Sequence, residues 1–225
     1  MNNLTKRILT SVVLLSLIYF SIMYSLFLLL FLTAIYFFAF KEISFIYKRI
    51  FNKNFFFIFI ANLLSVTYLF IFVFIVWINL GSSNIEKITS LIFLFLICIF
   101  TDTGGFIFGK IIGGKKLTKI SPNKTYAGMI GSFLLSIITS YLFAIKYDHT
   151  FLQNQNLFED FYFIFLVFII STVSQIGDLT ISYFKRLSKI KNTGNIFPGH
   201  GGLLDRIDGM IFAFPFIFII SKILL

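Results

Sequence analysis

The sequence predicts an all-α, polytopic integral membrane protein of about seven transmembrane helices, within a range of six to eight, with a cytoplasmic N-terminus. Three observations carry that expectation. Only 12% of the 225 residues are charged and the mean hydropathy is +0.96, too apolar for most of the chain to stay in water. Uncharged runs reach the ~20 residues that a helix needs to cross a hydrocarbon core of about 30 Å. Inside that core no water can satisfy the backbone, so a spanning segment must bond to itself as a helix.

Taken in order, Ile8–Phe40 is 33 residues without a charge. A single helix of that length would measure roughly 50 Å, so two short spans meeting near Ser21–Ser25 are expected. Lys6-Arg7 ahead of this run resembles a signal peptide, but no small-x-small cleavage site stands out, and a retained first span is expected. Lys41–Asn54 reads as a polar connection. Phe55–Leu80 is the third span, with Trp77 near an interface and one or two crossings left open. Ile88 to about Phe108 is the fourth, carrying Asp102 near its far end. Gly109–Lys124 is a basic loop with a turn at Ser121-Pro122-Asn123. Thr125 to about Ile145 is the fifth span. Phe161 to about Ile181 is the sixth, with Gln175 and Asp178 near its end, and Met210–Leu225 is a short last one.

Charge tests the order. With seven spans and the N-terminus inside, all but Lys87, Lys146 and Lys222 of the 19 Lys and Arg residues fall on the cytoplasmic side. That is the bias by which membrane proteins orient. Both basic loops then share one face with Asp102, Asp178, Asp205 and Asp208. The net charge of +10 reports topology and phosphate or headgroup contact, and a nucleic-acid partner is not expected. Cys98 stands alone in an apolar run, which excludes an intrachain disulfide framework and reads as packing.

Two constellations carry chemistry. Asp102 and Asp178 sit in apolar helices, where a carboxylate costs a few kcal/mol unless paired or metal-bound; a salt bridge to a nearby Lys is the plain alternative. The stretch Ser182–Gly209 holds a cation run (Lys185, Arg186, Lys189, Lys191), a Gly-rich turn around His200-Gly201-Gly202, and Asp205, Arg206 and Asp208. Cations and free amides suit phosphate, while carboxylates three apart on a helix suit a divalent cation. The plain alternative is an acidic helix start favoured by the dipole. Gly104-x4-Gly109-Lys110 is not a Walker loop, because it leaves an apolar helix and Ile111 replaces the metal-binding hydroxyl. Gly105-x3-Gly109-x3-Gly113 reads as a small-residue stripe for close helix packing.

These residues resemble the signature of the CDP-diacylglycerol synthases (phosphatidate cytidylyltransferases), S-x-x-K-R-x4-K-D…P-x-H-G-G-x-x-D-R-x-D. Ser182, Lys185, Arg186, Lys191, Pro198, His200, Gly201, Gly202, Asp205, Arg206 and Asp208 match it. Thr101–Lys116, Ser121–Gly128 and Gly177-Asp178-Leu179 are similar to three further family segments. Asn192 replaces the signature's Asp, and Ala127 a commonly acidic or amide residue.

The resemblance implies transfer of CMP from CTP to phosphatidate, giving CDP-diacylglycerol and pyrophosphate, with Mg²⁺ and possibly a second cation. It implies Asp178, Asp205 and Asp208 as metal ligands, with Asp102 a supporting or second-metal ligand on the substrate side. Lys185, Arg206 and His200 would act in catalysis, and Ser121, Lys124, Thr125, Arg186, Gly201 and Gly202 would bind substrate. The expected organisation is N-terminal transmembrane helices at 1–87 and a catalytic region at 88–225, with cytoplasmic loops 109–124 and 182–208. The expected setting is a bacterial plasma membrane, and a homodimer is compatible with the sequence. Another CTP-dependent enzyme, acting on a polyprenol or an ether lipid, is the neighbouring reading. An ion-coupled transporter is the reading from a different class, against which the one-sided charges and the absence of an internal repeat both count.

Overall fold

The computed structural model describes residues 16–17, 19–21, 23–52, 54–81, 85–118, 120–147, 157–194, 196 and 201–224. Six long helices make up the described chain: α1 (Ser25–Ile50), α2 (Phe55–Leu80), α3 (Ile85–Ile111), α4 (Tyr126–Tyr147), α5 (Leu157–Leu187) and α6 (Leu204–Leu224). The first five contain segments long and apolar enough to cross a membrane, and the protein is an integral membrane protein with the expected all-helical architecture. Packing divides the chain into two compact units, Met1–Asn84 with Tyr183–Asp208, and Ile85–Ser182 with Gly209–Leu225. The stretch 183–208 therefore packs with the N-terminal helices, although along the chain it adjoins the C-terminal ones.

In the first unit, α1 and α2 form an antiparallel-type hairpin through Phe51–Asn54. The Phe51 amide donates to the Tyr47 carbonyl at 3.0 Å, and the left-handed Asn52 (φ 46°) turns the chain. Asn tolerates that conformation better than most residues. Leu28, Leu32, Ala39, Glu42 and Ile46 are buried on α1, and Ser65, Leu69, Phe72, Ile75 and Val76 on α2. Their spacing of three, four and seven residues keeps each set on one helical face. Tyr47 and Ser65 hydroxyls meet at 3.0 Å between the two helices. Phe55, Phe56, Phe57, Phe59 and Phe70 are exposed, as side chains facing lipid would be.

Three expectations meet the structure here, and the last of them changes. The break near Ser21–Ser25 is present at Tyr24, which is extended (φ −129°, ψ 115°) ahead of α1, while most of the expected first span lies outside the described residues. Phe55–Leu80 is one uninterrupted helix of 26 residues. The supposed connection Lys41–Asn54 is helical as far as Ile50. Lys and Glu are good helix formers, and the exposed Lys48 and Arg49 suit the negative end of the helix dipole, so charge did not end the helix.

In the second unit, α3 and α4 approach through glycine. A Cβ on Gly104 would overlap the Gly131 carbonyl, one on Gly105 would lie 2.8 Å from Ser132 Oγ, and one on Gly128 2.7 Å from the Gly105 carbonyl. Small residues let two helix backbones meet where no side chain fits. Gly113 is not part of this stripe: it lies beyond α3 with φ +64°, followed by Gly114 at +91°. Two left-handed residues reverse the chain after the helix, where glycine carries no Cβ penalty. Thr101 Oγ1 donates to Ser171 Oγ at 2.9 Å and ties α3 to α5. Phe133 and Phe168 rings lie 4.5 Å apart, and Phe95 meets Phe214 edge-on at 4.8 Å.

Candidate active site

The second unit contains a cavity of about 270 Å³ whose polar lining comes from four segments, α4 contributing Ser132. Asp102 comes from α3, Ser121, Lys124 and Thr125 from the turn before α4, and Gln175 and Asp178 from α5. The turn is built locally. The Lys124 amide donates to the Ser121 carbonyl at 3.0 Å, and the Leu117 amide to the Lys124 carbonyl at 2.8 Å. Thr125 Oγ1 then accepts from the Gly128 amide at 3.0 Å, capping α4 as threonine commonly does. The result aims Lys124 at α5, where its Nζ lies 2.5 Å from Asp178 Oδ2, both side chains about a quarter exposed (26% and 24%). Ser182 Oγ donates to the other oxygen, Asp178 Oδ1, at 3.3 Å. Gly105 and Gly128 also line the cavity and leave its wall without side chains.

The first unit contains the signature loop, closed by two carboxylates. Asp205 Oδ1 accepts from Lys185 Nζ at 2.7 Å, and Oδ2 accepts from the amides of Thr193 and Gly202 at 3.0 and 3.1 Å. Glu42 of α1 is buried at 5% exposure. It accepts from Thr193 Oγ1 at 2.6 Å and from the Leu203 and Leu204 amides at 3.0 and 2.9 Å. The two glycines of the signature differ in their reason. Gly201 has φ +85°, which only glycine adopts without strain. Gly202 leaves room for Glu42, whose Oε2 would lie 2.5 Å from a Cβ placed there.

Every site residue expected from sequence now has a position or falls outside the described chain. Asp102, Ser121, Lys124, Thr125 and Asp178 gather on the cavity. Lys185, Gly202 and Asp205 gather in the loop, where the Gly202 amide is engaged by Asp205. Gly201 directly precedes Gly202, Asp208 is buried at 6% on the first turns of α6, and Arg186 and Arg206 lie at the surface. His200, with Pro198 and Gly199, lies outside the described residues. Of the three carboxylates expected to hold metal, Asp178 belongs to the second unit and Asp205 and Asp208 to the first. Within neither unit do three described His, Cys, Asp or Glu side chains form one metal-holding group.

Comparison with known proteins reaches both clusters: a model of the cytidylyltransferase family matches residues 58–224, from α2 through α6. The chain belongs to the cytidylyltransferase family. It is 38% identical over 131 residues to the phosphatidate cytidylyltransferase of Staphylococcus saprophyticus, covering 58% of this chain and 48% of that protein. It is 41% identical over 132 residues to the protein of the same name in Staphylococcus epidermidis, with the same coverage of 58% and 48%. The match to that of Staphylococcus aureus is 41% over 131 residues, again 58% and 48%. The chain thus spans about half the length of the curated relatives it matches.

Sequence reasoning missed two residues, one lining the cavity and one in the loop cluster. Gln175 was noticed but given no place, and it lines the cavity one helical turn before Asp178. Glu42 was read as part of a connection. Continuing α1 to Ile50 would have exposed it as a carboxylate on a buried helix face, the same signal that singled out Asp102 and Asp178.

The loop has a pH signature. Burial alone would raise the Asp205 carboxyl, but the Lys185 ammonium and the Thr193 and Gly202 amides outweigh it and hold the group below its ordinary value. A carboxyl lowered by folding stabilises the native state above its unfolded pKa and loses that contribution as pH falls through its folded one. Asp205→Asn is therefore expected to be less stable than the parent near neutrality, with the gap closing below about pH 4. Thermal unfolding in detergent across the acid range measures it; a gap independent of pH would mean that the clasp is held by shape and not by charge.

Proposed function

We propose that this chain is a phosphatidate cytidylyltransferase of a bacterial plasma membrane, transferring CMP from CTP to phosphatidate at the cytoplasmic face. The observation that carries this reading is the cavity where the Lys124–Asp178 pair meets Asp102, Ser121, Thr125 and Gln175. The names of the relatives agree with it. A phosphate oxygen of phosphatidate attacks the α-phosphorus of CTP; the new P–O bond forms as the α–β bridge breaks, and pyrophosphate leaves with the bonding pair. No general base is required, because the attacking phosphate is already ionised at neutral pH.

Two anions must be brought together, so the residues have to supply positive charge and hydrogen-bond donors without leaving charges stranded beforehand. The Lys124–Asp178 pair does that. Buried charges are costly when one partner is removed, and here each neutralises the other; with substrate bound, Lys124 would face a nucleotide phosphate and Asp178 would be free to help hold a cation. The polar side chains of the lining offer oxygen apart from Lys124 and the Gln175 and Asn123 amide nitrogens, beside the apolar Phe106, Leu117 and Met129, and two carboxylates with hydroxyls fit Mg²⁺, which keeps several waters and takes one or two carboxylates. Asp178 and Asp102 would hold it; when bound it neutralises charge developing on the transferred phosphate. Ser121 and Thr125 orient phosphate oxygens, and Lys185, Arg186 and Arg206 draw anionic substrates to the loop.

The test is transfer by purified protein in detergent from labelled CTP to phosphatidate, with and without Mg²⁺. Labelled CDP-diacylglycerol that requires Mg²⁺ is the expected result. Product with a polyprenol phosphate or ether lipid but none with phosphatidate would move the chain to another lipid acceptor, and no nucleotide transfer to any lipid would overturn the reading.

A further inference from the structure

Glu42 lies outside the residues that match the family and outside the cavity, yet its carboxylate accepts three hydrogen bonds, as many as are shown for Asp205 in the same unit. Its two oxygens accept one hydroxyl and two amides from residues 151 to 162 positions further along the chain. The amides are those of Leu203 and Leu204 at the start of α6, where a helix presents unsatisfied N–H groups and the positive end of its dipole. Two glycines make room for the carboxylate: a Cβ on Gly194 would lie 2.5 Å from Oε1, and one on Gly202 2.5 Å from Oε2. Any residue other than glycine at either place would displace it.

The engagement continues beyond Glu42. Thr193, whose hydroxyl Glu42 holds, presents its own amide to Asp205 Oδ2, and Asp205 Oδ1 holds the Lys185 ammonium. Glu42, Thr193, Asp205 and Lys185 thus form one relay of hydrogen bonds linking α1, the end of α5, the loop and the start of α6. A residue serving only to fasten α6 would need the two amides alone. The hydroxyl contact adds Thr193, and through it the lysine.

We propose that Glu42 is a positioning residue that sets the orientation of Lys185 through Thr193 and Asp205. Its effect on turnover rests on the function proposed above, whereas its effect on Lys185 does not. Displacing a positioned group by about 1 Å can cost on the order of 100-fold in rate. Glu42→Gln is expected to lower kcat/KM for CTP about 10- to 100-fold. Thr193→Val, which removes the hydroxyl, should reproduce part of that loss, and Thr193→Ser, which keeps it, should stay near the parent.

The experiment combines these variants, in the full chain in detergent, with two readouts. The first is acetylation of Lys185 followed by mass spectrometry. Lys185 is 12% exposed and held by Asp205, so the parent should react slowly and Glu42→Gln and Thr193→Val several-fold faster, while Thr193→Ser reacts as the parent. The second is turnover of the double variant Glu42→Gln/Thr193→Val, which should be no slower than the worse single variant, because both act through one relay. Lys185 reactivity unchanged in both Glu42→Gln and Thr193→Val would overturn the proposal, and so would strictly additive losses of turnover. If the parent transfers no CMP, the function reading fails, and the Lys185 reactivity still decides this one.

Discussion

Replacing Asp178 with Asn is expected to lower CMP transfer about 10²- to 10³-fold, the range seen when one group that stabilises developing charge is removed from an active site. The reason lies in how the cavity is arranged. Asp178 pairs with Lys124 at 2.5 Å, shares the lining with Asp102, and keeps about a quarter of its side chain open. The plain alternative is that Asp178 merely neutralises Lys124. The two ideas separate in the double variant Asp178→Asn/Lys124→Gln. Removing one member of a partly buried pair strands the other, and removing both relieves that cost. A purely structural pair would therefore regain activity in the double variant. The proposed roles predict that thermal stability recovers toward the parent while transfer stays lost. Steady-state transfer from labelled CTP, with thermal unfolding of the same preparations, distinguishes the outcomes; restored transfer would remove Asp178 from the chemistry.

The second large effect concerns the contact that shapes the same cavity. Gly131→Val should destabilise the protein by about 1–3 kcal/mol or more, as overpacking of a well-filled contact does. For a chain of this length that is a fall in Tm of roughly 2–12 °C. A Cβ at Gly131 would overlap Phe108, lying 2.6 Å from its Cδ2, and Gly104 faces the Gly131 carbonyl from α3. Relief requires α3 and α4 to part, which moves Asp102 away from the turn that carries Lys124, so transfer should fall with stability. Ile130→Ala on the exposed side of α4 (55% exposed) is the control and should change neither. Thermal unfolding in detergent reads the difference. A Gly131→Val protein as stable as the parent would mean that the helices are not held this closely.

Much of this was legible one residue at a time. Hydropathy is a local property, and a backbone in lipid has few choices, so the spans and the all-helical class followed from composition and run length. Asp102 and Asp178 stood out because a carboxylate in an apolar run needs a partner. Ser121-Pro122-Asn123 read as a turn, and the structure uses that turn to deliver Lys124. Helix ends were less legible. Lys41, Glu42 and Lys48 looked like the end of a span, yet the lysines can continue a helix while their heads reach the interface, and Glu42 finds its partners inside the protein.

The signature loop marks the boundary between the two kinds of information. Its residues could be recognised, and their chemistry named, from the sequence alone. Which partner each one takes could not, because Glu42 and Leu204 are 162 positions apart and a single sequence carries no record of which distant residues meet. Gly202 looked like an amide donor for phosphate; in the folded chain its amide belongs to Asp205, and its missing side chain makes room for Glu42. Apolar runs and isolated charges state how much must be buried and which groups need company. The company itself is chosen only when the helices come together, since a hydrogen bond depends on separations of a few tenths of an ångström that no property of the linear chain specifies.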